Sequence, residues 1–237
     1  MKRFYKDVAL AQADGGWRVT LDGRAIRTAR GAPQIVPSRA LAEAMAQEWS
    51  EQSEVIDPQG FALRDLADYA IDVIAAERAA SIAKLLGYGE TDTLLYRAEP
   101  GEPLFARQEA VWEPIVAAFE AHEGVALTRV SGVLHRPQGE PALAAFAARL
   151  ERCDAFALAA IEAMTSLAAS LLVALAASET DSEAEAQKLW RAASLEEEWQ
   201  AQLWGRDEEA EARRARREAD FLSAHRAARL ALALAAD

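Results

Sequence analysis

Residues 155–178, A-F-A-L-A-A-I-E-A-M-T-S-L-A-A-S-L-L-V-A-L-A-A-S, run for 24 positions with a single charge, Glu162. This stretch decides between a membrane protein and a helical protein with a buried centre. Its length is enough to cross a bilayer. More than half of it is alanine and serine, Glu162 and Thr165 lie inside it, and no tryptophan or tyrosine marks its ends. The central helix of a bundle shows the same all-round apolar pattern. A buried helix over 154–177 is therefore expected, and the chain is not expected to be an integral membrane protein.

Helical patterning extends on both sides of that centre. Residues 141–150, 182–203 and 207–234 read as further helices with short connections, which is the pattern of a bundle or of orthogonal helix packing. Residues 104–119 carry Phe105, Trp112, Ile115 and Phe119, with Pro114 either near a helix start or kinking the helix. Residues 125–134 are β-branched enough for a short strand or extended arm.

The first forty residues are different. Short apolar runs at 5–10 and 17–21 flank Asp14-Gly15-Gly16, a hairpin signal, and Asp22-Gly23 makes a second tight turn. Runs at 24–28 and 34–36 complete an antiparallel meander. Ser38 then suits the N-cap of a helix with Leu41, Ala42, Met45 and Trp49 on one face, so Trp49 is expected in the core. Leu63, Leu66, Ala67, Ala70, Ile71 and Ile74 follow helical spacing after Asp57-Pro58. The expected fold is α+β, a small N-terminal antiparallel sheet with helices over 1–86. A larger all-helical, orthogonal bundle-like domain follows over 87–237, with Gly87-Tyr88-Gly89 as the hinge.

Composition narrows the function classes. Of 237 residues, 51% are hydrophobic and 27% charged, an ordinary globular balance. The formal net charge of −12 argues against nucleic acid and anionic membrane, whose phosphates repel an acidic surface. A neutral or basic protein partner fits better. Cys153 is the single cysteine, which excludes a disulfide framework and points to a reducing compartment, with the cytoplasm as the default. His122, His135 and His225 have no second ligand at helical spacing, so no metal is expected. Neither phosphate-loop glycines nor a nucleophile elbow occurs, and no catalytic residue or cofactor is assigned. Arg213, Arg214, Arg216 and Arg217 are read as partners within their own helix, in the pairs Glu209–Arg213, Arg214–Glu218, Arg216–Asp220 and Glu211–Arg214.

The functional signal is strongest in S-L-E-E-E-W-Q-A-Q-L-W-G-R-D-E-E-A, residues 194–210. Two indoles lie in an acidic helix that stops at Gly205, and a new helix starts at Asp207. Aromatic rings rimmed by charge suit the edge of a core or a surface meant for another protein. Continued helical steps from Trp190 reach Glu197, Gln200 and Trp204, while Glu196 and Glu198 lie off that stripe and Trp199 faces elsewhere, as a candidate exposed anchor. A carboxylate on a packed stripe either pairs internally or meets a partner's donor.

Several blocks then coincide with one family. They are Arg3-Phe4-Tyr5-Lys6, Leu21-Asp22-Gly23-Arg24 with Thr28, Val36-Pro37-Ser38 and Glu48-Trp49 with Gln52. Tyr88, Thr91-Asp92, Tyr96-Arg97, Gln108 and Trp112-Glu113-Pro114 follow, then Leu195, Glu197, Gln200, Trp204-Gly205 and Asp207. In this order, from residue 3 to about 210, they resemble the ATP12 family of assembly chaperones for the F1 sector of ATP synthase. Ala29, Phe61-Ala62 and Leu195-Glu196 depart from the family's usual residues. The resemblance implies binding and not catalysis: a bacterial, monomeric member that holds the F1 α subunit and shields its β-facing surface until assembly. It suggests Glu196, Glu197, Glu198, Trp199, Gln200, Trp204 and Asp207 as partner-binding residues. The alternative reading is a small-molecule enzyme using acidic residues in a cleft of the helical domain.

Overall fold

The computed structural model describes residues 1–132 and 134–232. Two compact units are present. One comprises Met1–Arg78, Asp154–Ala160 and the chain from Arg226, and the other comprises Ala79–Cys153 and Ile161–His225. The sequence reading divides the chain once, at 86/87. The structure divides it at Arg78/Ala79 and returns two later segments to the first unit. Sequence periodicity carries no information on which unit a distant alanine-rich helix joins.

In the first unit, β1 (Val8–Ala13), β2 (Gly16–Leu21) and β3 (Arg24–Ala25) form an antiparallel sheet in the order β1-β2-β3. The Asp14-Gly15 turn sets the register Val8↔Leu21 through Ala13↔Gly16. Gly16 has a positive φ of 152°, and a Cβ there would stand 2.1 Å from the Val36 carbonyl oxygen. That close approach lets Trp17 and Val36 exchange both backbone hydrogen bonds. Residues 34–36 thus contribute a single bridge and not a strand.

Ser38 caps α1 (Arg39–Ser50) by accepting from the Leu41 amide. The same hydroxyl donates to the Leu230 carbonyl at 2.5 Å. The core joins Val19, Leu41, Met45, Trp49 and Phe61 to Ala160, Ala227, Ala228 and Ala231, and the small side chains let helices pack closely. Trp49 is 7% exposed, edge-on to the Tyr5 ring and tilted against the Phe61 ring. The helix expected through Ile74 is α2 (Ala62–Tyr69) continued by a π-helical turn, Ala70–Ile74.

The second unit begins with α3 (Arg78–Glu90), and here the expected hinge is overturned. Gly87, Tyr88 and Gly89 all lie inside this helix. Gly89 is buried, and a Cβ on it would sit 3.0 Å from the Phe146 ring. The glycine serves close packing, not bending. A short turn at Thr93–Leu95 leads to β4 (Tyr96–Arg97), then α4 (Pro103–Glu123). Pro114 sits within α4, and Gly124 ends that helix in the left-handed region. The extended arm is real but its regular part is short: β5 (Val130–Ser131) pairs in parallel with β4. α5 (Glu140–Glu151) follows.

The long apolar stretch is two helices, α6 (Ala155–Ala168) and α7 (Leu171–Glu179). No helix among the described residues is long and apolar enough to cross a membrane. The expected single helix is broken at Ala169, whose φ is +50°, and Ser170 caps α7 through the Val173 amide. Asp92 holds this break. Its fully buried carboxylate accepts from the Ser170 hydroxyl at 2.7 Å and from the amides of Leu172 at 2.9 Å and Leu94 at 3.0 Å. The Ala169 carbonyl in turn accepts from the Thr93 amide and hydroxyl. Glu162, the one charge in the stretch, pairs with Lys84 at 2.8 Å. The remaining helices are α8 (Glu183–Ala193), α9 (Leu195–Trp204) and α10 (Glu208–Leu232). The last two residues of the helix expected over 207–234, and the tail after it, 235–237, lie outside the described residues.

Burial raises the Asp92 pKa from 3.8 to about 6, against the lowering effect of its hydrogen bonds. Folding therefore takes up a proton between those two values. The stability this carboxyl contributes is complete below the lower value and is lost as pH rises through about 6. Asp92→Asn has no such titration. Urea unfolding is expected to show the wild-type advantage over Asp92→Asn widening by about 1 kcal/mol from about pH 7 to about pH 5. A gap independent of pH contradicts the assignment.

Candidate functional site

The acidic-aromatic segment does not continue the helix before it. Ser194 breaks the expected 182–203 helix: it is buried, ends α8 with its amide donating to the Trp190 carbonyl at 3.0 Å, and precedes α9. Helical phasing from Trp190 therefore cannot be carried across it. Trp190 is 1% exposed, whereas Glu197, Gln200 and Trp204 are all exposed. The packed stripe of the sequence reading is absent because the break resets the rotation.

The three glutamates face different neighbours. Glu196 Oε1 accepts from Gln108 Nε2 at 2.6 Å, and the buried Gln108 also accepts from the Ala98 amide at 2.8 Å. Burial raises the Glu196 pKa, with the Gln108 bond opposing it. Glu197 accepts from Arg217 at 2.8 Å. Glu198 is shared between Arg206 at 2.6 Å and Arg214 at 2.7 Å. Two of the pairs expected within α10 form, Arg213–Glu209 and Arg214–Glu211. The other two are replaced: Glu218 accepts from Gln187, and Arg216 donates to the Ala212 carbonyl. Arg214 and Arg217 also reach across to α9, at Glu198 and Glu197. Long side chains reach across helices as easily as along one, and i,i+4 spacing cannot reveal that.

Two clefts flank α9. One, of about 570 Å³, brings together Glu197, Gln200, Trp204 and Asp207 with Arg213 and Arg217. The other, of about 830 Å³, contains Glu198 and Trp199 with Arg107, Lys188, Arg191 and Arg206. Glu196 lines neither. Asp207 caps the start of α10 through the Ala210 amide at 3.0 Å. Trp199, the anchor suggested by phasing, is half-buried. The projecting pair is Leu203, 63% exposed, and Trp204, 83% exposed. Gly205, at φ 97°, ends the helix directly beyond them. Leu203 and the crossing arginines are the contributors that sequence reasoning missed. The Leu203-Trp204 doublet before a glycine was the available signal.

The structure carries no ligand, and no metal-binding cluster of His, Cys, Asp or Glu occurs among the described residues. An apolar doublet projecting from a helix whose carboxylates are internally paired suits protein docking better than chemistry. The profile of the ATP12 chaperone protein family matches residues 2–120. The chain belongs to the ATP12 chaperone family. It is similar to Atp12 from Paracoccus denitrificans, at 36% identity and TM-score 0.88, covering 97% of this chain and 98% of that one. It is also similar to the Atu1473 protein of Agrobacterium tumefaciens, at 40% identity and TM-score 0.91, covering 97% and 85%. The mitochondrial protein atp12 of Schizosaccharomyces pombe is 25% identical over 221 residues, 88% of this chain and 75% of that protein. The family's α+β architecture, a small antiparallel sheet with many helices, is the one described above.

Exposure separates the tryptophans into two classes. Trp190→Ala is expected to cost about 3–5 kcal/mol in urea unfolding, through the cavity it leaves. Trp204→Ala should stay within about 0.5 kcal/mol of wild type. Comparable losses from both would show that Trp204 is packed.

Proposed function

We propose that this ATP12-family chain is an assembly chaperone of the F1 sector of ATP synthase. In this reading it binds the unassembled F1 α subunit as a monomer in the cytoplasm, shielding the α-subunit surface that later meets β. Glu196, Glu197, Glu198, Trp199, Gln200, Trp204 and Asp207 remain the proposed docking segment, with Leu203 added. The single observation that carries the reading is Trp204, 83% exposed at the end of α9 in a member of a chaperone family. A solvated indole beside Leu203 leaves apolar area open that a subunit interface would bury.

The roles within the segment differ. Leu203 and Trp204 supply apolar anchors, and Trp199 supplies part of a cleft wall. Glu197 and Glu198 hold the arginines of α10 in place and so shape the surface that an α subunit meets. Glu196, tied to Gln108, fixes the start of α9.

The test is capture of purified F1 α subunit. Wild type should bind it and suppress its aggregation. Trp199→Ala and Trp204→Ala, if folded, should each weaken capture about tenfold or more, and Glu197→Gln should weaken it less. Unchanged capture by all three folded variants contradicts the docking assignment.

A further inference from the structure

We infer that the cleft containing Trp199 is a docking groove for an acidic segment with apolar side chains, supplied by the client protein. The lining sets five cations, Arg107, Lys188, Arg191, Arg206 and Arg214, against two carboxylates, Glu198 and Glu218. Just outside the lining, Glu185 pairs with Lys188 and Glu211 with Arg206 and Arg214, so the charges left over at the cleft, on a chain of net charge −12, are cationic. Both carboxylates are already engaged: Glu198 by Arg206 and Arg214, and Glu218 by Gln187 at 2.6 Å. Internal pairing has used up the acidic groups and left cationic ones over.

Arg107 and Arg191 are that remainder. Both are exposed, and neither makes a hydrogen bond or ion pair with any described residue. They come from different elements, α4 and α8, so no single helix's surface pattern accounts for their meeting at one cleft. Guanidinium groups present a planar fork of donors that matches a carboxylate in a bidentate pair. Half-buried Trp199 is the aromatic side chain the cleft offers, with the buried Trp190, Ala192 and Leu195 behind it. A volume of about 830 Å³ is enough for several side chains. Guanidinium donors beside an accessible indole select a segment that alternates carboxylates with aliphatic side chains. The overall negative charge repels acidic chains at long range, so such a segment is held only where the local field reverses.

The client reading above is needed only to say which protein supplies the segment, and two probes separate the two claims. The first is a fluorescein-labelled alternating Glu-Leu octapeptide, titrated into full-length protein. The second is purified F1 α subunit. The variants are Arg107→Glu/Arg191→Glu and, as the charge-conserving control, Arg107→Lys/Arg191→Lys. Both positions are exposed, so unfolding midpoints should match wild type.

Charge reversal is expected to weaken peptide binding about tenfold or more and to flatten its salt dependence, with the Lys/Lys variant much closer to wild type. It should weaken F1 α capture in the same direction. Peptide and α binding that are indifferent to charge reversal overturn the groove while leaving the client reading standing. Groove-dependent peptide binding with no capture of F1 α by wild type supports the groove and overturns the client reading. Binding of an oligothymidylate in preference to the peptide identifies a polyanion site and overturns the inference.

Discussion

The Asp92 carboxylate, fully buried, is bonded to the Ser170 hydroxyl and to the amides of Leu94 and Leu172. These bonds hold a break in what would otherwise be one 24-residue apolar segment. Each helix start leaves backbone donors without partners, and burying them without acceptors is costly. One carboxylate supplies acceptors for two such starts, the turn at Thr93–Leu95 and the first turn of α7. The break makes α6 and α7 separate elements. Lys84 neutralises the remaining charge, Glu162, so that α6 is buried without a lone ion.

Much of this was legible in the sequence where the signal is local. The Asp14-Gly15 turn, the Ser38 cap and the face carrying Leu41, Met45 and Trp49 depend on residues a few positions apart, and all three appear as read. What was not legible depends on partners far along the chain. Gly89 looks like a hinge until Phe146 is placed against it. Ala169 looks like helix interior until Asp92 and Thr93 are seen to hold it open. Ala227 and Ala228 give no sign in sequence that they join the core of the N-terminal unit.

The candidate site divides in the same way. The segment stood out in the sequence for its two indoles among glutamates, but phasing named Trp199 as the exposed anchor, whereas Trp204 is the exposed one. Its electrostatic character was not legible. In sequence, the triplet Glu196-Glu197-Glu198 leaves internal pairing and a partner's donors equally open. Gln108, Arg217, Arg206 and Arg214 satisfy those carboxylates from elsewhere in the unit. The surface that remains carries tryptophan and unpaired arginine, residue types enriched in interface hot spots, with Leu203 beside them. Helical phasing erred for a related reason: Ser194 interrupts the helix, so Trp190 belongs to the core and Trp204 to the surface.

The central claim is that α9 and the turn after it form the docking face for the F1 α subunit. Backbone hydrogen–deuterium exchange of the full chain, with and without α subunit, addresses it most directly. The account predicts slowed exchange across Leu195–Trp204 and the turn to Asp207 on complex formation. Slowing confined to Met1–Arg78, with α9 exchanging as in the free protein, would contradict it.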